Sequence, residues 1–166
     1  MRNEQYRAMV TPEEMVLRLQ GLTRGIQDFL AAEAKEHGLT STEFVALIRS
    51  TNGDRVTGAY LAHALGMRSS SVTGLADRLE ARGLIVRRAH PTDRRSVVLQ
   101  ATRRGRAVVN RAIGPLLEQL LSVAGELESD ERAAVAAFLA RIDEVLRRPQ
   151  HRPSSAPRQP GRGRRN

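Results

Sequence analysis

Leu61-Ala62-His63-Ala64-Leu65-Gly66-Met67-Arg68-Ser69-Ser70-Ser71-Val72-Thr73 sets the architecture of this 166-residue chain. Its first part, with Leu61, Ala62 and Leu65 apolar, reads as a short helix that Gly66 halts. A new helix then runs from about Ser69 to Arg82, with Val72, Leu75, Ala76 and Leu79 at i, i+3, i+4 and i+7 facing inward. Two helices joined by a glycine-containing turn pack at a steep angle and hold the second clear of the body, as in a helix-turn-helix. Its outward positions are Ser70, Ser71, Thr73, Gly74, Asp77 and Arg78. Small hydroxyl side chains there let N–H groups approach phosphates and base edges closely.

The next residues read as a β-hairpin. Leu84 to Ala89 and Ser96 to Ala101 are rich in β-branched and aliphatic residues, and His90-Pro91-Thr92-Asp93-Arg94-Arg95 between them is a loop. Arg94 and Arg95 at its tip form a probe suited to the negative potential of a minor groove, with Asp93 to hold one arginine in place.

Upstream, Thr11-Pro12-Glu13-Glu14 opens a helix with an apolar seam of Met15, Leu19, Leu22, Ile26 and Phe29, ended by His37-Gly38. Thr40 to Glu43 starts a second helix with Phe44, Leu47 and Ile48 buried, closed at Thr51-Asn52-Gly53-Asp54. Val56-Thr57 leads into the short helix. Downstream, Thr102 caps a long helix reaching about Glu126, in which Gly114-Pro115 predicts a kink rather than a break. Ser129-Asp130-Glu131 opens a last helix. From Pro149 onward the composition is that of a disordered, basic tail.

The fold class is therefore mainly α with a small β-hairpin: a winged helix-turn-helix with long N- and C-terminal helices. We divide the chain into a flexible arm (1–11), dimerisation helices (12–38 and 102–148), a winged module (39–101) and the tail (149–166). The outer helices carry more apolar surface than a small winged core buries, and a monomer would expose it. Leu19, Leu117, Leu120, Phe138, Ile142 and Val145 are the residues expected at a homodimer interface.

Charge points to the same partner. The net charge is +9, and residues 67–111 hold 11 basic against 3 acidic residues, while residues 1–66 hold 7 against 8. A polyanion partner is implied, with arginines of the central block fixing the protein on its phosphates. The chain has no cysteine, which excludes disulfides, thiolate ligands and thiol nucleophiles. Its longest apolar run, residues 133–140, is far short of a bilayer span of roughly 20 residues. With no secretory segment at the N-terminus, a cytoplasmic, nucleoid-associated location is expected and no membrane partner. The four histidines stand at no metal-ligand spacing, and no nucleophile, base and oxyanion site assembles, so neither a cofactor nor an enzyme is expected. His90 flanks the wing, where it could meet a phosphate. Five scattered aromatics disfavour single strands or RNA as partners.

Val72-Thr73, Asp77-Arg78-Leu79-Glu80, Gly83-Leu84-Ile85, Arg87-Arg88, Pro91-Thr92-Asp93-Arg94-Arg95 and Leu99-Gln100-Ala101-Thr102 resemble the MarR family of bacterial transcription regulators, over about residues 12–147. The resemblance implies a homodimer binding pseudo-palindromic double-stranded DNA, as a repressor, with release by a small aromatic or anionic effector. It also implies that Arg95 enters the minor groove beside Asp93, and that Ser69, Ser70, Ser71 and Thr73 face DNA. Arg68 and Arg78 complete the expected DNA-binding set with Arg94. Three positions depart from the family pattern. Arg68 stands where Ser or Thr usually opens the recognition helix, so the cap is expected to move to Ser69. Gly74 stands where a long polar side chain often reaches a base, and Ala101 replaces a larger apolar residue. The alternative from another class is an architectural or protein-interaction winged helix without sequence preference.

Overall fold

A computed structural model describes residues 10–51, 56–93 and 96–147. The elements are α1 (Pro12–Glu36), α2 (Ser41–Ser50), α3 (Gly58–Leu65), α4 (Ser69–Ala81), β1 (Ile85–Ala89), β2 (Val97–Ala101), α5 (Arg103–Gly125) and α6 (Ser129–Arg147). This is the mainly helical, winged order expected from the sequence. The N-terminal arm up to residue 9, the loop at 52–55, Arg94 and Arg95, and the tail from 148 lie outside the described residues.

Side-chain caps start α1, α2, α3 and α5. Thr11 Oγ1 accepts the Glu14 N–H, with Pro12 at the first helical position of α1. Thr40 and Glu43 form a reciprocal capping box on α2, Thr40 Oγ1 accepting from Glu43 N and Glu43 Oε2 from Thr40 N. Thr57 caps α3 through Tyr60 N, and Thr102 accepts from Gly105 N at the start of α5. The helix α5 continues through Pro115, as expected of a proline that does not break it.

The described residues divide into two compact units after Glu118, inside α5. The first holds the core: Phe44, Leu47, Leu61, Val72, Leu75 and Leu79 are each 2% exposed or less. Leu84, Ile85 and Leu99 close it from the hairpin, while Ala34 of α1 and Val109 and Ala112 of α5 add to it. The core thus draws on helices flanking the 39–101 segment. In the second unit Glu131 Oε2 accepts from Glu128 N at the start of α6, and no α6 residue is buried.

β1 and β2 pair antiparallel, Ile85 opposite Ala101 and Ala89 opposite Val97. Each strand is one residue shorter than the sequence suggests. Leu84 turns into the core, and its carbonyl accepts from Thr102 N instead of a strand partner. Val56-Thr57 does more than lead into α3: Val56 O accepts from Leu99 N at 2.7 Å, and Thr57 bridges Val98. The wing is therefore stitched to the α3 N-terminus.

Gly105 marks the closest approach in this unit. A Cβ there would stand 2.1 Å from Leu84 O and 3.0 Å from Leu47 Cδ1. Only glycine lets α5 lie directly against the base of the wing.

Glu43 ties α2 to α4. Its Oε1 accepts from Arg78 Nε at 2.6 Å while Oε2 serves the capping box. Burial by itself would raise this carboxyl, but the Arg78 hydrogen bond, the Thr40 N–H and side chain, and the Arg78 charge outweigh it and hold it below the usual carboxylate range. A carboxyl depressed by folding stabilises the protein above its unfolded pKa. That contribution is lost as the pH falls through the folded value.

Two outcomes follow for stability. Gly105→Ala should lower the unfolding free energy by about 3 kcal/mol, read from urea denaturation, because backbone rather than a flexible side chain must move. Glu43→Gln keeps the capping box but removes the charge. It should destabilise at neutral pH and flatten the loss of stability that the wild type shows in acid below about pH 4.5, the carboxyl's unperturbed value.

Candidate nucleic-acid interface

The turn between α3 and α4 works because Gly66 adopts φ +61°. That left-handed conformation, costly for a side-chain-bearing residue, reverses the chain in one step. Met67 N donates to Ala62 O at 2.9 Å and Met67 packs against the core. The chain then leaves the core at Arg68, in extended conformation, and Arg68 O accepts from Ser71 N and Val72 N. The N-cap of α4 is therefore Arg68, not Ser69 as the sequence suggests. The turn, seated by Met67, fixes where the helix begins, and Arg68 has no side-chain acceptor to cap it. The first N–H groups of α4 consequently have no side-chain cap and stand at the positive end of the helix dipole.

Arg68, Ser69, Ser70, Ser71 and Thr73 are all exposed on or beside the first turns of α4. Val72, Leu75, Ala76 and Leu79 are buried behind them. Thr73 Oγ1 donates to Ser69 O at 3.2 Å, which spends its proton along the helix and leaves the exposed hydroxyl oxygen as an acceptor. Arg78 is exposed but held by Glu43.

The recognition-type helix is also tied to the wing. Arg87 of β1 donates Nη2 to Asp77 Oδ1 at 2.6 Å and Nη1 to Glu80 Oε2, while its own N–H donates to Glu80 Oε1. Chiefly the Asp77 hydrogen bond, against the opposing effect of burial, raises the Arg87 pKa further above its ordinary value. Asp77, outward in the sequence reading, is thus an internal strut.

Other arginines of the basic block serve the fold as well. Arg82 donates to Gly38 O at 2.6 Å and His37 O at 2.8 Å, and Arg106 to Ala101 O at 2.6 Å. Within the block expected to meet phosphate, Arg78, Arg82, Arg87 and Arg106 are thus each held to another part of the protomer. Arg68, Arg88, Arg103 and Arg104 are exposed and make no ion pair with another described residue. Helix order and core periodicity do not reveal these ties, because their partners lie 7 to 45 residues away or, for Arg106, on a backbone carbonyl.

The wing turn organises itself. His90 Nδ1 accepts from Thr92 N at 3.3 Å and Asp93 N at 3.2 Å, and His90 N donates to Ser96 O. The imidazole is therefore occupied in shaping the loop at that nitrogen. Asp93 Oδ2 accepts from Ser96 Oγ at 2.6 Å. Arg94 and Arg95, the expected probe that Asp93 would steady, lie outside the described residues. Among the described residues no group of three or more His, Asp and Glu could hold a metal ion. No described helix is long and apolar enough to cross a membrane.

Of the expected dimer residues, Leu117, Leu120 and Val145 are about half exposed, and Leu19, Phe138 and Ile142 are half-buried. Met15, Val16, Leu17, Leu22 and Ile26 of α1 are exposed as well.

The match to the MarR family covers residues 39–97, the segment from α2 to the start of β2. The chain is 33% identical over 117 residues to the transcriptional repressor MprA of Escherichia coli K12, spanning 67% of this chain and 66% of that repressor's length. It is 31% identical over 120 residues to the HTH-type transcriptional regulator MhqR of Bacillus subtilis, spanning 72% and 82%. Among solved structures, RV1404 of Mycobacterium tuberculosis is similar with a TM-score of 0.61 at 26% identity, covering 82% of this chain and 95% of that one. With its helix-turn-helix, its hairpin and this likeness to known regulators, the chain belongs to the MarR family of winged-helix transcription regulators, a family of non-enzymes.

Proposed function

We propose that the protein is a homodimeric repressor that reads a pseudo-palindromic site in double-stranded DNA, and that a small aromatic or anionic ligand releases it. The observation that carries this reading is the first half of α4. It has an uncapped positive N-terminus, three exposed serines and exposed Arg68 beside it. That exposed surface suits phosphate and base edges. Ser69, Ser70, Ser71 and Thr73 then enter the major groove, while Arg95 beside Asp93 probes the adjacent minor groove. Arg68, Arg88, Arg103 and Arg104 supply a sequence-independent attraction.

Dimerisation rests on apolar residues of α5 and α6 that stay largely exposed. Leu117, Leu120, Leu121 and Val123 of α5 are each at least half exposed, and α6 adds Val135, Leu139, Val145 and Leu146. Apolar side chains left in water in that number favour a self-complementary partner. Two-fold symmetry then sets the recognition helices about 34 Å apart, one turn of the duplex. An effector acts only to the extent that it binds one spacing of those helices better than another. Such a protein acts in the cytoplasm, on the nucleoid.

The test is the affinity for the DNA upstream of its own gene compared with random duplex. A ratio near one would favour an architectural winged helix instead. Arg95→Ala should weaken binding to the specific site by about 1–3 kcal/mol and leave the dimer intact, as read by fluorescence anisotropy and sedimentation; unchanged affinity would remove the wing from the interface. Leu117→Glu, at a position 52% exposed in the protomer, should shift sedimentation to the monomer with helicity preserved, and a well-folded dimer would contradict the assembly.

A further inference from the structure

Gly74 and Arg78 lie one turn apart on α4, and the Arg78 side chain runs back toward the helix N-terminus. Its Nη1 would stand 3.6 Å from a Cβ built on residue 74. Its Nε is held by Glu43 Oε1 at 2.6 Å, and Glu43, only 6% exposed, is itself locked in the α2 capping box. The Arg78 side chain nevertheless remains 61% exposed. The result is a guanidinium pinned at its inner edge and laid over a position that has no side chain of its own.

An arginine held through Nε keeps the paired N–H donors of Nη1 and Nη2, and that fork matches O6 and N7 of guanine in the major groove. We propose that Arg78 is a specificity-determining residue that reads a guanine from the space Gly74 leaves open, with Glu43 as the positioning residue that aims it. This rests on α4 being the helix that enters the groove. Two features favour a base over a phosphate. Paired with Glu43, the group carries little net charge, which weakens its pull on a phosphate and leaves directional hydrogen bonding as what it offers. A phosphate also accepts a mobile cation from many directions, whereas a bidentate base contact needs the fork in one plane.

Selection from a random duplex pool by the full-length wild-type protein supplies the probe. Affinities for that probe, for its single-base variants and for random duplex are then measured for Arg78→Lys, Glu43→Gln and Gly74→Gln. Arg78→Lys keeps a cation for Glu43, so the fold survives, but it loses the fork. It should lose about 10- to 100-fold of discrimination at one G·C pair in each half-site, with affinity for random duplex unchanged. Glu43→Gln retains a capping-box acceptor and should relax the same pair and no other. Gly74→Gln, which fills the space under the guanidinium, should alter preference at that pair too. An equal loss on all duplexes with Arg78→Lys, or an unchanged base profile, overturns the proposal. If the wild type enriches no sequence from the pool, it is the sequence-reading role of α4 that fails, and that outcome appears before any variant is made.

Discussion

Arg87 is the joint on which the winged module depends. Its guanidinium sits between Asp77 and Glu80 of α4 while its backbone belongs to β1. The outward face of α4 is exposed, so the orientation of the helix is fixed from its buried face and its flanks. Arg87 fixes it on the wing side and the Glu43–Arg78 pair on the α2 side. Asp77 and Arg78 side chains are about 60% exposed in these pairs, so screening by water leaves each worth at most about 1 kcal/mol. Their value is geometric: they tie α4 to the wing on one flank and to α2 on the other.

The same economy explains the charge of the central block. A net +8 over residues 67–111 invites the view that every arginine there meets DNA. Four are also anchored to carboxylates or carbonyls of the protomer. A guanidinium has five donors in a rigid fork, so one residue can brace two elements at once.

Burial divides the molecule by role. The core closes around Phe44, Leu47, Leu75 and Leu79, with Gly105 letting α5 touch the wing base. Many apolar residues of the outer helices, among them Leu17, Leu22, Leu117, Leu121 and Leu146, are instead exposed.

Element identity was written in the sequence because it is local. Thr11, Thr40 with Glu43, and Thr57 cap helices through partners three residues away, and the 3.6-residue period of Val72, Leu75, Ala76 and Leu79 marks the buried face of α4. The exposed serines of its first turn were legible for the same reason. Tertiary packing alone decided what depends on distant partners. Arg78 meets Glu43 35 residues away, Arg82 meets His37 45 residues away, and Val56-Thr57 pairs with β2. It also decided that Arg68, not Ser69, begins α4, since the seating of Met67 in the core fixes where the turn releases the chain. Propensity and periodicity are properties of neighbours along the chain. Which arginine becomes a strut and which stays free depends on which acceptor folding brings within about 3 Å, and no local pattern encodes that.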